Sequence, residues 1–136
     1  DTILFKNAFT AMLLGLILTV LVQSSSITTS LVVPLAGAGI LTLRQIFPFT
    51  LGANVGTTLT AILAALITGS EAAVTVAFVH LLFNVFGIIL IWPIRSIPIH
   101  LAEALADWSV KSKFIPAAYV GIIFFLIPLA LIYFVR

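Results

Sequence analysis

From Phe9 to Ile40 the chain carries no charged residue, yet the middle of that run is Gln23-Ser24-Ser25-Ser26. Hydroxyl and amide groups at membrane depth are costly unless something polar binds there, so this cluster constrains the fold more than any other feature. Its flanks, Leu13 to Val22 and Ile27 to Ile40, are predominantly apolar. A second small-and-polar stretch, Gly52-Ala53-Asn54-Val55-Gly56-Thr57-Thr58, interrupts the next apolar run. Two interrupted apolar segments are the sequence mark of a transporter's substrate site.

Composition decides the solvent. The 136 residues are 62% hydrophobic and 7% charged, with a mean hydropathy of +1.35. A soluble domain of this size cannot hide so much apolar surface, which makes this an integral membrane protein. The apolar runs are continuous, where a membrane β-barrel needs short alternating strands, so the spans are helices. Net charge is only +2 and no lysine-rich face suggests a nucleic acid partner. The absence of cysteine excludes disulfides and thiolate metal sites. No signal peptide is recognised. The start at Asp1, without methionine, suggests a fragment of a longer protein or trimmed numbering.

The spacing predicts an all-α membrane domain over residues 1–136. Its expected parts are a re-entrant hairpin over 9–40, a broken spanning helix over 43–68 and a full span over 72–92. An interfacial amphipathic helix over 97–110 and a final span over 115–135 follow. In the first block, Phe9 to Val22 and Ile27 to Ile40 are arms of 14 residues each. Each arm reaches about 21 Å as a helix, short of a hydrocarbon core of about 30 Å. The arms suit one long broken helix, or a hairpin with Gln23 to Ser26 at its tip. Pro34, Gly37 and Gly39 loosen the second arm. With a hairpin, Lys6, Arg44, Arg95, Lys111 and Lys113 fall on one side of the membrane and Arg136 on the other. A single crossing would split these charges four against two, so the positive-inside rule favours the hairpin, with its base cytoplasmic. In the second block, Asn54 lies about 15 Å beyond Arg44, near the bilayer midplane. In the interfacial helix, Leu101, Leu105 and Trp108 share one face, and His100, Glu103 and Asp107 the other. Trp92 and Trp108 read as interface anchors.

A helix beginning at the tip leaves its first N–H groups without intrahelical partners, and with the dipole these make an anion site. Serine hydroxyls donate to anionic oxygens or accept from a cation, and the Gln23 amide does both. Gln23, Ser24, Ser25 and Ser26 are therefore the candidate anion-binding residues. Neither interrupted motif contains Lys or Arg. A bound dianion such as phosphate then needs other compensation, which cotransported Na+ would supply. The second break offers hard oxygen ligands: the carbonyls of Gly52 and Ala53, the Asn54 amide, and the hydroxyls of Thr57, Thr58 and Thr60. With Gln23 and Ser26 from the tip, these form the candidate sodium site. Neutral oxygens suit a weakly held monovalent cation, whereas Zn2+ would want Cys or clustered His. Gly52 and Gly56 permit backbone angles that aim carbonyls inward.

Gln23-Ser-Ser-Ser26 followed by Thr28-Thr29-Ser30, and then Leu51-Gly-Ala-Asn-Val-Gly-Thr-Thr58, resembles the type II sodium–phosphate cotransporters. That family carries two inverted repeats, each with a Gln-Ser-Ser-Ser and a Gly-x-Asn-x-Gly-Thr motif. Pro34-Leu35 with Gly37 and Gly39, the run Thr60 to Leu66, His80 to Gly87 and Phe124 to Leu129 are similar to the C-terminal repeat. The resemblance covers nearly the whole chain. It implies sodium-coupled phosphate symport, with Gln23 to Ser26 at the phosphate site and Asn54, Thr57 and Thr60 in or near a sodium site. Ala53 departs from the serine that animal members often carry, which bears on the sodium ligands and the coupling ratio. Only one Gln-Ser-Ser-Ser occurs here, so the chain supplies half of such a site. The other repeat or a second copy of the chain would supply the rest, although the lopsided charges argue against an antiparallel pair. The expected location is a plasma or bacterial inner membrane.

Two other classes compete with this reading. One is a transporter or channel repeat for another anion, sulfate or a dicarboxylate. The other is an assembly module without ligand, since Ser and Thr in membrane helices commonly serve as packing residues or interhelical glue. His80 and Asn84, four residues apart, read either as a proton or cation relay or as a hydrogen bond to a neighbouring helix, and the second is favoured. His100, Glu103 and Asp107 read as a solvated face rather than a metal cluster. No Ser–His–Asp or paired-carboxylate arrangement occurs, and the apolar segments lack acidic residues, so the chain is not expected to be an enzyme.

Overall fold

The computed structural model describes residues 5–135, and the chain divides into two compact units, one ending at Arg95 and the next beginning at Ser96. The first unit contains α1 (Ala8–Val22), α2 (Ser25–Ser30), α3 (Val33–Gly37), α4 (Leu43–Thr68) and α5 (Glu71–Ile91). The second contains α6 (Ser96–Lys111), α7 (Phe114–Gly121), a π-helical turn (Ile122–Leu126) and α8 (Ile127–Val135). No strand occurs among the described residues. Three helical stretches are long and apolar enough to cross a membrane: Leu43–Thr68, Glu71–Ile91 and Phe114–Val135. The all-helical membrane architecture expected from composition is the one found.

Helix α1 starts where the Asn7 Oδ1 accepts the Thr10 N–H at 2.8 Å. It stops at Gln23, which takes the left-handed conformation (φ 57°, ψ 25°) and donates its N–H to the Thr19 carbonyl at 2.7 Å. Ser24 is extended and opens α2 at once. The chain reverses over these two residues. Val32 and Leu41, at either end of α3, join Phe5, Ala11, Ile46 and Phe49 in one buried cluster, which brings the second arm back beside the start of the first. That arm is not one helix. It divides into α2 and α3, with Pro34 in the first turn of α3 and Gly39 in the left-handed region (φ 70°) after it.

The expected break at Gly52–Thr58 is absent: α4 runs unbroken from Leu43 to Thr68. The two glycines serve close approach instead of irregular backbone. A Cβ at Gly52 would collide with the Met12 carbonyl, and one at Gly56 would lie 2.7 Å from the Thr19 Cβ and 2.8 Å from the Leu16 oxygen. Across the seam, a Cβ at Gly15 would collide with the Phe49 carbonyl. Ala11, Gly15 and Thr19 of α1 thus face Phe49, Gly52, Ala53 and Gly56 of α4, all of them buried. With lipid as solvent, such small residues let backbones touch and supply van der Waals contact that apolar burial alone does not. The α1–α4 seam is the most extensive contact between helices in the unit.

Gly69 (φ 65°) ends α4, and the Ser70 hydroxyl caps α5 by accepting the Ala73 N–H at 3.3 Å. Helix α5 returns along α4 through Ala77 on Ile62 and Ala65. In the second unit, α6 covers the expected interfacial segment, extended by one residue at each end. Its buried residue is Ile99, while Trp108 and Leu101 are exposed. The last span widens into a π turn because Pro128 has no N–H to return to Phe124, and the Ile127 N–H reaches back to the Ile122 carbonyl.

Candidate functional site

The reversal sets the tip. A non-glycine residue in the left-handed region is uncommon and mildly strained, and Gln23 alone holds that conformation among the described non-glycine residues. Its side chain is exposed. The Ser24 hydroxyl caps α2 by accepting the Ile27 N–H at 3.3 Å, which leaves its own proton as a further donor at the tip. Three hydroxyls then turn back onto the tip carbonyls: Thr28 on Ser24 at 2.9 Å, Thr29 on Ser25 at 2.8 Å and Ser30 on Ser26 at 2.7 Å. The hydroxyls of Ser25 and Ser26 make no hydrogen bond among the described residues, and neither does the Gln23 amide. Their donors, with the N–H groups of Ser25 and Ser26 in the first turn of α2, are what the tip offers a ligand. Because α2 has six residues rather than the 14 expected of the arm, local donors and not a long helix dipole carry that offer.

The face of α4 has the opposite character. Thr57 donates its hydroxyl proton to the Ala53 carbonyl at 3.1 Å, Thr58 to Val55 at 2.7 Å and Thr60 to Thr57 at 2.8 Å. Each oxygen is left with lone pairs only, which suits a cation and repels an anion. The carbonyls of Gly52 and Ala53, expected as ligands, lie inside a continuous helix. Ala53 is fully buried, and its oxygen already accepts from Thr57.

Gln23, Thr57 and Thr60 come together. With Val20, Ala61, Leu63, Ala64 and Ile67 they line one groove of about 540 Å³ between the end of α1 and the C-terminal half of α4. Ser24, Ser25 and Ser26 flank that groove in sequence without lining it. Asn54 is exposed but lies nearer the start of α4, and Thr58 is fully buried; neither lines the groove. The sequence-predicted set therefore divides into a donor-bearing tip, an acceptor-lined groove, and Asn54 standing apart.

Thr19 was not among the candidates. It is fully buried against Gly56, one turn before Gln23, and its hydroxyl has no hydrogen-bond partner among the described residues. The four-residue rhythm Ala11, Gly15, Thr19, matched by Gly52 and Gly56, was the sequence signal for that seam. His80 is exposed, and neither it nor Asn84 has a side-chain hydrogen bond among the described residues. His80 borders a separate, alanine-lined groove between α4 and α5. No group of three metal-ligating side chains converges among the described residues.

Comparison with known proteins agrees over most of the length. The profile of the Na+/Pi-cotransporter family matches residues 2–131. Sodium-dependent phosphate transport protein 2B of Homo sapiens is 43% identical over 128 residues, which is 90% of this chain and 19% of that protein. Protein 2C of Rattus norvegicus is 40% identical over 129 residues, 91% of this chain and 22% of that protein. Protein 2A of Ovis aries is 40% identical over 129 residues, 91% of this chain and 20% of that protein. The chain spans about a fifth of the length of these curated relatives. No solved structure matches it.

Proposed function

This chain belongs to the Na+/Pi-cotransporter family, and from that premise we propose that it forms one repeat of a symporter that carries inorganic phosphate across the membrane with sodium ions. The observation that carries the reading is the joining of Gln23, Thr57 and Thr60 in one groove beside a tip of free donors. Phosphate brings one to two negative charges, and neither motif holds a basic side chain. Sodium bound by the groove oxygens lowers the cost of bringing the anion to the tip, and the anion lowers the cost of the sodium. That mutual dependence is coupling. Ser25 and Ser26 donate to phosphate, Ser24 shapes the turn that presents them, and Gln23 bridges the two ions with its amide.

In this reading residues 9–40 re-enter the membrane as a hairpin with a cytoplasmic base. The second half of the site comes from an inverted repeat or a second copy of the chain, facing Asn54 from the exposed side of α4. Alternating access moves the site between the two faces of a plasma or bacterial inner membrane. Sulfate and dicarboxylate transport are not favoured, and the names of the relatives give no support to a ligand-free assembly role.

The test is sodium-gradient-driven uptake of radiolabelled phosphate by the full transporter in liposomes. Thr57→Val and Thr60→Val should raise the sodium concentration needed for half activation, while Ser25→Ala and Ser26→Ala should mainly weaken apparent phosphate affinity. Unchanged sodium activation in both threonine variants would remove the groove from the mechanism. Uptake equally inhibited by sulfate or succinate would remove phosphate as the selected anion.

A further inference from the structure

A second groove lies in the same unit and takes no part in the site above. Phe9 and Met12 of α1, Ile88 and Ile89 of α5, and Trp92 and Pro93 beyond it line an apolar trough of about 500 Å³. Its size is that of a ligand site, but it lacks the convergent polar groups that orient a water-soluble ligand. One cation is fixed at its rim. The Arg95 guanidinium carbon sits 4.6 Å from the centre of the Trp92 ring, and its Nη1 donates to the Trp92 carbonyl at 3.1 Å. Stacking holds the planar group in place, and most of its five N–H donors remain open to an outside acceptor. Lys6 is exposed three residues before Phe9, at the same end of α1.

An apolar trough with a guanidinium at its aromatic rim matches an amphiphile with a hydrocarbon tail and an anionic head. Trp92-Pro93 ends a span, the depth at which tryptophan meets lipid headgroups. Guanidinium binds phosphate oxygens in a bidentate fork. We propose that this groove binds an anionic phospholipid, its acyl chain between α1 and the end of α5 and its phosphate on Arg95. A zwitterionic lipid offers the same phosphate, but its own ammonium offsets the attraction, so the site selects for net negative charge. The proposal is independent of the transport reading.

Fluorescence of Trp92 reads the occupant directly. The full chain carrying Trp108→Phe keeps Trp92 as its one tryptophan. It is placed in nanodiscs of phosphatidylcholine containing a small fraction of lipid with brominated acyl chains, either phosphatidylglycerol or phosphatidylcholine. Brominated phosphatidylglycerol should quench at a mole fraction lower by on the order of fivefold, the preference expected of one basic side chain at a membrane surface. Arg95→Gln should abolish that preference while quenching itself persists, and Arg95→Lys should keep part of it. Equal quenching by the two lipids, or a preference that survives Arg95→Gln, would overturn the proposal. Absence of quenching by either lipid would also overturn it, because protein and not lipid would then cover the trough.

Discussion

Substituting alanine for Gly52 tests the seam that positions the groove. The added Cβ would meet the Met12 carbonyl oxygen within bonding range, its carbon at 2.7 Å and the Met12 Cα at 2.9 Å. Carbon atoms rest about 3.5–4.0 Å apart, so α1 must retreat by roughly 1 Å, and a gap of about 0.5–1 Å already forfeits a quarter to a half of each contact's attraction. Backbone atoms cannot rotate away as a side chain would. The retreat is therefore felt along the line Ala11, Gly15, Thr19, and overpacking of this kind costs about 1–3 kcal/mol. Alanine gains about 1 kcal/mol over glycine in helix propensity, which would mask part of the loss. Gly87 in α5 supplies the control, because a Cβ there meets nothing within 4 Å. The difference between Gly52→Ala and Gly87→Ala cancels propensity and leaves the packing cost. Unfolding of the purified protein by SDS titration in mixed micelles should show Gly52→Ala less stable than Gly87→Ala by about 1–3 kcal/mol. Equal stability would refute the tight seam and with it the explanation of why α4 is continuous.

Five further substitutions, at four positions, separate folding from function. Thr19→Val removes a buried hydroxyl that has no partner, so stability should hold or rise by about 1 kcal/mol in the same titration; a clear loss would mean the hydroxyl is bonded. Gln23→Gly relieves the left-handed conformation, worth about 1–2 kcal/mol, while sodium activation of uptake falls; a less stable protein would contradict the assignment of strain. Ser24→Ala deletes the cap on the Ile27 N–H and should cost about 1 kcal/mol, whereas Ser24→Asn should retain stability. Asn54→Ala, at an exposed position, should leave unfolding unchanged and raise the sodium requirement of the full transporter; unaltered sodium dependence would count against its role.

The spans were legible because apolar length and local caps are written in the chain: Gly69 and Ser70 mark the α4–α5 turn without help from tertiary structure. The reversal at Gln23 followed from arms too short to cross and from the charges at their base. Gly52 and Gly56 were harder. In one dimension a glycine pair reads equally as loose backbone or as close packing, and only the facing surface of α1 decides between them. Once α4 is a regular helix, Asn54 is held about one turn before Thr57 and nearly two before Thr60, outside the groove that they line, a separation invisible while the segment was read as unwound. The threonine hydroxyls were expected as oxygen ligands, although in sequence a hydroxyl is equally a donor. Their protons are committed to carbonyls three or four residues back, a habit of helical threonine that turns them into acceptors.

The connection between α1 and α2 is two residues long and already ordered, with Gln23 and Ser24 each held by a backbone or capping hydrogen bond. Fixing a flexible residue costs about 1–2 kcal/mol in entropy, and here that loss is incurred when the chain folds, before any ion arrives. On the proposed function, ligand binding at the tip needs no loop closure, and its calorimetric signature should lack the large unfavourable entropy of coupled ordering. If the tip binds ions as proposed, it meets them already ordered and continuous with α1, as a rigid lever would, with no loop left to condense around them.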